Sequence, residues 1–248
     1  MIDSSPFEGM SLDDPFLNRF LPMVQAVGKY NHYQVDGLER IPRKGRLLIA
    51  VNHSFATYDS FLLGAAIYLK AGRKPYGLAD HNFFKLRLVS EFSKRLGLVE
   101  GDHETAEKLL AQDELVMLAP GGMREAIRPK TQAFQVRWKN RKGFVRLAIR
   151  TQTPVMVAAC PDADRLLDVY PNFLTPWFYK RLKLPFVFFT GVGLSPIPRP
   201  VALTHYLSEV MVPPAWDGSK ETLFALVQQF HRQIYRKMWE ILTGTALD

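Results

Sequence analysis

The chain has 248 residues, 47% of them hydrophobic and 23% charged, which suits one domain with a sizeable core. Cys160 is the sole cysteine, so no internal disulfide can form, and no apolar run approaches the roughly 20 residues that cross a bilayer, so no spanning helix is expected. A net charge of +8 and an isoelectric point near 9.6 favour anionic partners: nucleic acid, anionic lipid head groups or phosphorylated substrates.

The opening "MIDSSPFEGMSL" is acidic and has no apolar core behind basic residues, so no export signal is expected. In "DPFLNRFLPMVQAVGK", residues 14 to 29, Asp14 suits a helix cap and Pro15 the first helical position. Phe16, Phe20, Val24 and Val27 recur at helical spacing, and Pro22 should kink or restart the helix. Such a helix packs on its own domain or touches a membrane. "YQVDGLERIPRKGRLLIAVNH" reads as a strand, a turn at Gly37, a loop through Pro42 and Gly45, and a second strand Leu47 to Val51. The unbroken apolar run of the second strand suits burial on both faces. "DSFLLGAAIYLKAG" predicts a helix capped by Gly72. Asn52 and His53 therefore stand between the carboxyl end of a buried strand and a helix, the edge where open α/β sheets bind ligands.

The alternation continues: "KPYGLAD" is a strand, "NFFKLRLVSEFSKRLG" and "ETAEKLLAQ" are helices, "ELVMLAP" a strand, "GFVRLAIRTQ" a helix and "TPVMVAAC" a strand. This predicts an α/β fold, a single domain whose largely parallel central sheet is flanked by helices. "VALTHYLSEVMVP" alternates weakly as a late strand, and residues 221 to 242 form an amphipathic terminal helix. Between them, residues 161 to 200 read as an insertion rich in Pro and aromatics, packed in the core or forming a lipid-facing or acyl-binding surface.

Three stretches can carry chemistry. In "IAVNHSFATYDS", His53 and Asp59 could form a catalytic couple, or His53 could cap a helix or complete a core hydrogen bond. In "LAPGGMREAIRPK", Pro120, Gly121 and Gly122 end a buried strand; paired glycines admit a ligand to the backbone or expose N–H groups to an anion, but also mark ordinary strand-to-helix turns. From Ala126 to Pro161 there are eight basic residues (Arg128, Lys130, Arg137, Lys139, Arg141, Lys142, Arg146 and Arg150) and no acidic one, which predicts a positive field. No His/Cys spacing suits a metal and no Gly-x-Ser-x-Gly elbow is present, so neither a metal nor an enzyme nucleophile is expected.

Taken in order, "NHSFATYD", "GLVEGDHETAEKLL", "LAPGGMRE" and "KNRKGFVRLAIRTQTPVMVAA" resemble the glycerolipid (lysophospholipid) acyltransferase superfamily, nearest its monoacylglycerol and diacylglycerol acyltransferase branch and bacterial relatives. The resemblance implies an acyltransferase-type α/β sandwich over residues 33–215, with an N-terminal helical segment at 1–32 and a C-terminal amphipathic helix, 216–248, packed on the domain. The implied reaction moves a fatty acyl group from acyl-coenzyme A or acyl carrier protein to the hydroxyl of a glycerolipid or related lipid alcohol, without a cofactor. The superfamily separates its first-motif His and Asp by four residues; here five intervene, 54 to 58. Its Pro-Glu-Gly-Thr-Arg hallmark is here Pro120-Gly121-Gly122-Met123-Arg124, followed by Glu125, and Pro154 fits its last motif.

By that resemblance His53 is the general base. An alcohol is a poor nucleophile at neutral pH, and a neutral imidazole that takes its proton contributes about a hundred- to ten-thousand-fold. Asp59 would hold the other ring nitrogen. Gly121, Gly122, Arg124 and Glu125 are expected to bind substrate, with Arg124 and the amides after Gly121 meeting anionic groups or the oxyanion. Asn52 joins this set by shaping the turn under His53, and Lys139, Arg141 and Lys142 are expected on coenzyme A, phosphopantetheine or lipid phosphates, or else in solvent. The expected partners are the thioester donor, a lipid acceptor and an anionic membrane surface, with cytoplasmic peripheral attachment and no nucleic acid. The alternative is a non-enzymatic module that binds anionic lipid or nucleic acid through residues 126–161, which leaves the His–Asp pair and the glycine turn unexplained.

Overall fold

A computed structural model describes residues 15–84, 87–138, 140–170, 175 and 187–245. In chain order the elements are α1 (Pro15–Tyr30), β1 (Gln34–Asp36), β2 (Leu47–Val51), α2 (Tyr58–Ala66), β3 (Pro75–Ala79), α3 (Arg87–Arg95), β4 (Leu98–Glu100), α4 (His103–Ala111), β5 (Leu115–Leu118), α5 (Gly122–Ala126), α6 (Gly143–Arg150), β6 (Val155–Ala159), β7 (Asp168–Tyr170), β8 (Phe188–Thr190), β9 (Thr204–Leu207) and α7 (Lys220–Thr243). Local signals set several ends. Asp102 accepts from the Thr105 N–H to cap α4, and Ser219 accepts from Thr222 to cap α7. A π-turn, Ile67–Ala71, extends α2 to Gly72, which adopts the left-handed conformation at φ 65°.

The seven-stranded sheet has the order β1-β9-β6-β2-β5-β3-β4. Strands β6, β2, β5, β3 and β4 are mutually parallel, as the alternating pattern predicts. At one edge β9 runs antiparallel to β6 and parallel to β1, so this edge pair, the first and last strands of the chain, opposes the rest. Every residue of β2 is buried, and its side chains divide between two layers. Leu48 and Ala50 join Leu110 of α4, Leu147 of α6 and Phe230 and Ile234 of α7. Leu47, Ile49 and Val51 face Leu63 and Ile67 on the other side. Burial on both faces is why the strand shows no polar alternation.

The inner side of α1 packs on its own domain: Val24 and Val27 meet the buried cluster of Tyr33, Leu62 and Ala66, and Phe16 and Phe20 contact Phe92 of α3 at 5.9 and 5.4 Å. The helix runs on through Pro22, whose ring lies on the exposed side. Packing of the opposite face outweighs the one hydrogen bond that Pro forfeits. Strand β4 was not anticipated, since three half-exposed residues carry too little periodicity. Strands β7 and β8 pair as a separate antiparallel ribbon. The middle of the aromatic insertion, residues 171–174 and 176–186, lies outside the described residues, as do Asp14 and Lys139. Among the described residues no helix is long and apolar enough to cross a membrane.

The connections create a crevice. From β2 the chain passes through α2 to β3, on the far side of β5; from β5 it passes through α5 and α6 to β6, on the far side of β2. The chain thus leaves two adjacent strands in opposite directions, opening a gap at their carboxyl ends. The residues there are Asn52 and His53 after β2, and Pro120, Gly121 and Gly122 after β5.

Phe230 is 1% exposed beneath the sheet, so Phe230→Ala should lower the unfolding free energy by about 3–5 kcal/mol in urea titration. Phe224, on the same helix but 68% exposed, should change by no more than about 0.5 kcal/mol on the same substitution.

Candidate active site

His53 is held by its backbone from both ends. Its N–H donates to Oε2 of Glu125 at 3.3 Å, and its carbonyl accepts from Nη1 of Arg128 at 2.7 Å. Both partners come from the segment after β5. Glu125 is fully buried and also accepts from the Arg137 N–H at 3.0 Å. Burial pushes its carboxyl pKa up, while the Arg137 and His53 N–H groups and the Arg128 charge oppose that rise. Arg128 is 6% exposed and forms a fork with Asp164, Nε to Oδ2 at 3.0 Å and Nη2 to Oδ1 at 2.5 Å.

The ring of His53 is half-buried. Nδ1 lies 2.9 Å from the Ser54 carbonyl, an acceptor only, so Nδ1 carries the proton and, in the neutral ring, Nε2 keeps a lone pair. Burial lowers the imidazole pKa; the Ser54 carbonyl and the Asp59 charge oppose this, and Arg128 and Arg141 reinforce it. The imidazole is therefore biased toward the neutral form that can accept a proton.

Asp59 does not make the expected bond to the His53 ring. A 3-10 turn, Phe55–Thr57, and a left-handed Thr57 at φ 56° absorb the fifth intervening residue, and Asp59 enters the first turn of α2 facing inward. There it is fully buried, with Oδ1 accepting from the Ser54 hydroxyl and Oδ2 facing Nε2 of His205 at 3.4 Å. Burial by itself would raise the Asp59 pKa, but His205 and Ser54 outweigh it and hold the carboxyl below its ordinary value. Cys160 lies beside the pair, and one ligand-type atom from each of Asp59, Cys160 and His205 falls within 4.8 Å of the others. Asp59 Oδ2 and His205 Nε2 face one another as a close ionic contact rather than a full hydrogen bond, and the Tyr33 hydroxyl reaches the second nitrogen of His205 at 2.9 Å.

The glycine turn has a steric cause. A Cβ at Gly121 would collide with the carboxyl of Glu125, and one at Gly122, where φ is 51°, would come 2.5 Å from Nη1 of Arg141. The Arg141 guanidinium donates to the carbonyls of Pro120, at 3.2 Å, and Gly121. The Gly122 N–H donates to the Ala119 carbonyl at 3.0 Å, so this amide is not the free donor that the turn suggested.

The crevice brings together His53, Gly121, Gly122 and Arg141, with Arg124 exposed nearby on α5. Two expected substrate-binding residues are corrected. Asn52 is 1% exposed and bonded to the N–H of Cys160 at 2.9 Å and its carbonyl at 3.4 Å, so it fastens β2 to β6. Glu125 is equally closed, being spent on two backbone N–H groups. Lys142 donates to Oε1 of Gln228 on α7. The basic segment is not one open strip: Arg128 is buried on Asp164, while Lys130 and Arg150 pair with Asp168 and Glu107 at 3.2 and 3.6 Å. Sequence reasoning missed Arg128 as a clamp, along with Asp164, His205 and Tyr33. The ion-pair partner of Arg128 is Asp164, 36 positions along the chain, and only the fold brings the two together.

Residues 32–160, more than half of the chain, match the family model described as Acyltransferase. A Bos taurus protein named "DGAT1/2-independent enzyme synthesizing storage lipids" is 29% identical over 73% of this chain and 52% of its own length. An uncharacterised Mycobacterium tuberculosis protein is 26% identical over 93% of this chain and 68% of its own. The chain spans about half the length of the storage-lipid relatives it matches. The crystal structure of the 1-acyl-sn-glycerophosphate acyltransferase of Thermotoga maritima shares the fold, with a TM-score of 0.53 and 16% identity over 95% of this chain and 86% of that one.

Gly121→Ala, at φ −67°, meets no backbone barrier, so any damage comes from displacing Glu125. It should destabilise the fold by about 1–3 kcal/mol, the range for a buried polar group losing its partners. In a double-mutant cycle with Glu125→Ala the two losses should be strongly non-additive.

Proposed function

Because the chain belongs to the Acyltransferase family, we propose that it moves a fatty acyl group from an acyl thioester, on coenzyme A or an acyl carrier protein, to the hydroxyl of a glycerolipid or related lipid alcohol. The observation that carries the reading is the His53 imidazole: backbone-clamped at the crevice, Nδ1–H engaged by Ser54, and Nε2 left as a base. Nε2 takes the acceptor's hydroxyl proton as the oxygen attacks the thioester carbonyl. Collapse of the tetrahedral intermediate breaks the C–S bond, and the proton passes from Nε2 to the departing sulfur. Asp59 acts on the growing imidazolium as a nearby fixed charge rather than as a direct ring partner, its oxygens being turned to Ser54 and His205.

Arg141 is a cation available to the substrate, whereas Arg128 is committed to Asp164 and the His53 carbonyl. It would meet the donor's phosphate groups or the developing oxyanion. Arg124 is exposed on the same turn and suits the same anions. An apolar approach adjoins the base. Phe55 contacts Phe189 of β8 at 4.8 Å, and the segment after that strand exposes Val192, Leu194 and Ile197. With a net charge of +8, this supports an acceptor presented at an anionic membrane surface.

Labelled acyl-coenzyme A and acyl carrier protein, offered with lysophospholipids, mono- and diacylglycerols and long-chain alcohols, test the reaction. His53→Ala should cut kcat by about a hundred- to ten-thousand-fold with the fold intact by circular dichroism; full activity in that variant overturns the reading.

The pH profile gives a second check. A base with a lowered pKa stays neutral to lower pH, so the acid limb of kcat/KM should fall below 6.5, the ordinary histidine value. Arg141→Ala removes a positive charge, raises the His53 pKa and should move that limb to higher pH. Leu194, 92% exposed, provides a third: Leu194→Asp should weaken sedimentation with anionic vesicles while leaving turnover of detergent-dispersed acceptor within about twofold.

A further inference from the structure

Behind the His53 turn runs a chain of buried polar groups, two of which, Tyr33 and His205, the reaction above leaves without a role. The Tyr33 hydroxyl lies 2.9 Å from Nδ1 of His205 on β9, and Nε2 of His205 faces Oδ2 of Asp59 at 3.4 Å. Oδ1 of Asp59 accepts from the Ser54 hydroxyl, and the Ser54 carbonyl accepts from the His53 ring. Asp59 and His205 are 0% exposed, and Tyr33 and Ser54 are 1%. The titratable groups facing Asp59 are His53 after β2, Tyr33 before β1, Cys160 after β6 and His205.

The chemistry of these atoms orders the protons. An ionised Asp59 only accepts, so His205 must present Nε2–H to it, and the lone pair of a neutral imidazole then lies on Nδ1. Tyr33 fills that acceptor with its O–H. Burial pushes the Tyr33 pKa well above its ordinary value, so the hydroxyl keeps its proton. Without these donors a carboxylate buried this deeply would hold its own proton instead.

We propose that Tyr33 and His205 are positioning residues for acyl transfer: Tyr33 sets the tautomer of His205, and His205 keeps the Asp59 carboxylate ionised and oriented beneath His53. The inference rests on His53 acting as the base. It makes the fixed anion of the site a product of three strand ends, contributed by β1, β9 and the turn after β2.

The test uses the full chain in the acyl-transfer assay. His205→Phe keeps bulk and removes the donor; His205→Gln restores an N–H in the place of Nε2. His205→Phe should lower kcat by about ten- to a hundredfold, a share of the roughly hundred- to ten-thousand-fold of general-base catalysis. The KM for the thioester should stay within about twofold, because the group touches no substrate. The acid limb of kcat/KM should move to higher pH, because Asp59 then ionises later, and His205→Gln should return both rate and limb toward wild type. Tyr33→Phe should move the limb the same way by a smaller amount.

A folded His205→Phe with the wild-type rate and profile overturns the proposal. So does a uniform loss at every pH that Gln does not rescue, which marks a purely structural residue. If His205→Phe does not fold, Tyr33→Phe decides, since it deletes one hydroxyl, and an unmoved limb overturns the proposal. His53→Ala is run alongside. Retained activity there removes the catalytic reading itself, whereas an inactive His53→Ala beside a wild-type-like His205→Phe removes only this inference.

Discussion

The site depends on one arrangement: the peptide groups on either side of His53 are gripped by two side chains from another strand's end. Glu125 takes the N–H and Arg128 supplies a donor to the carbonyl, so the histidine cannot rotate with its loop. Both grips are charged or chargeable and buried, and that needs compensation. Asp164 neutralises Arg128, and the Arg137 N–H helps satisfy Glu125. Breaking such a pair from one side leaves the other charge stranded, which typically costs about 3–5 kcal/mol, whereas the intact pair contributes little net stability. The network therefore secures geometry more than it secures the fold.

That arrangement explains the unusual glycine turn. The hallmark that the sequence resembles carries its glutamate directly after the proline; here that place belongs to Gly121, and the Glu125 carboxyl fills the space a side chain at 121 would occupy. The carboxyl has come from one helical turn further on, where it reaches both the His53 and Arg137 N–H groups. Gly122 then admits Arg141, so two adjacent glycines serve two different neighbours, one anionic and one cationic.

The parallel strands, the helices between them and the strand-end position of His53 were legible because they are written in local periodicity and in motif order. The direction of β9 was not, since four residues of weak alternation specify a strand but not its pairing sense. Arg128 was legible only as one of eight basic residues; its burial depends on Asp164, 36 positions away, and on the fold that joins them. Asp59 was legible as a carboxylate near His53 in sequence, but its orientation was decided by the left-handed Thr57 and by a histidine on a distant strand. Asn52 misled for a similar reason. A polar residue at a strand end can face a ligand or a neighbouring backbone, and only the β2–β6 pairing distinguishes the two.

The Tyr33–His205 contact joins residues 172 positions apart, one ahead of the first strand and the other on the last. During synthesis the central strands emerge before β9, so for that interval Asp59 is without the partner that favours its charge. Closing so long a loop is slow and entropically costly, and only the surrounding sheet makes it favourable. On the proposed mechanism the site would therefore be completed late in folding: the five parallel strands can form a scaffold first, and the edge strand that runs against them then brings His205 to Asp59.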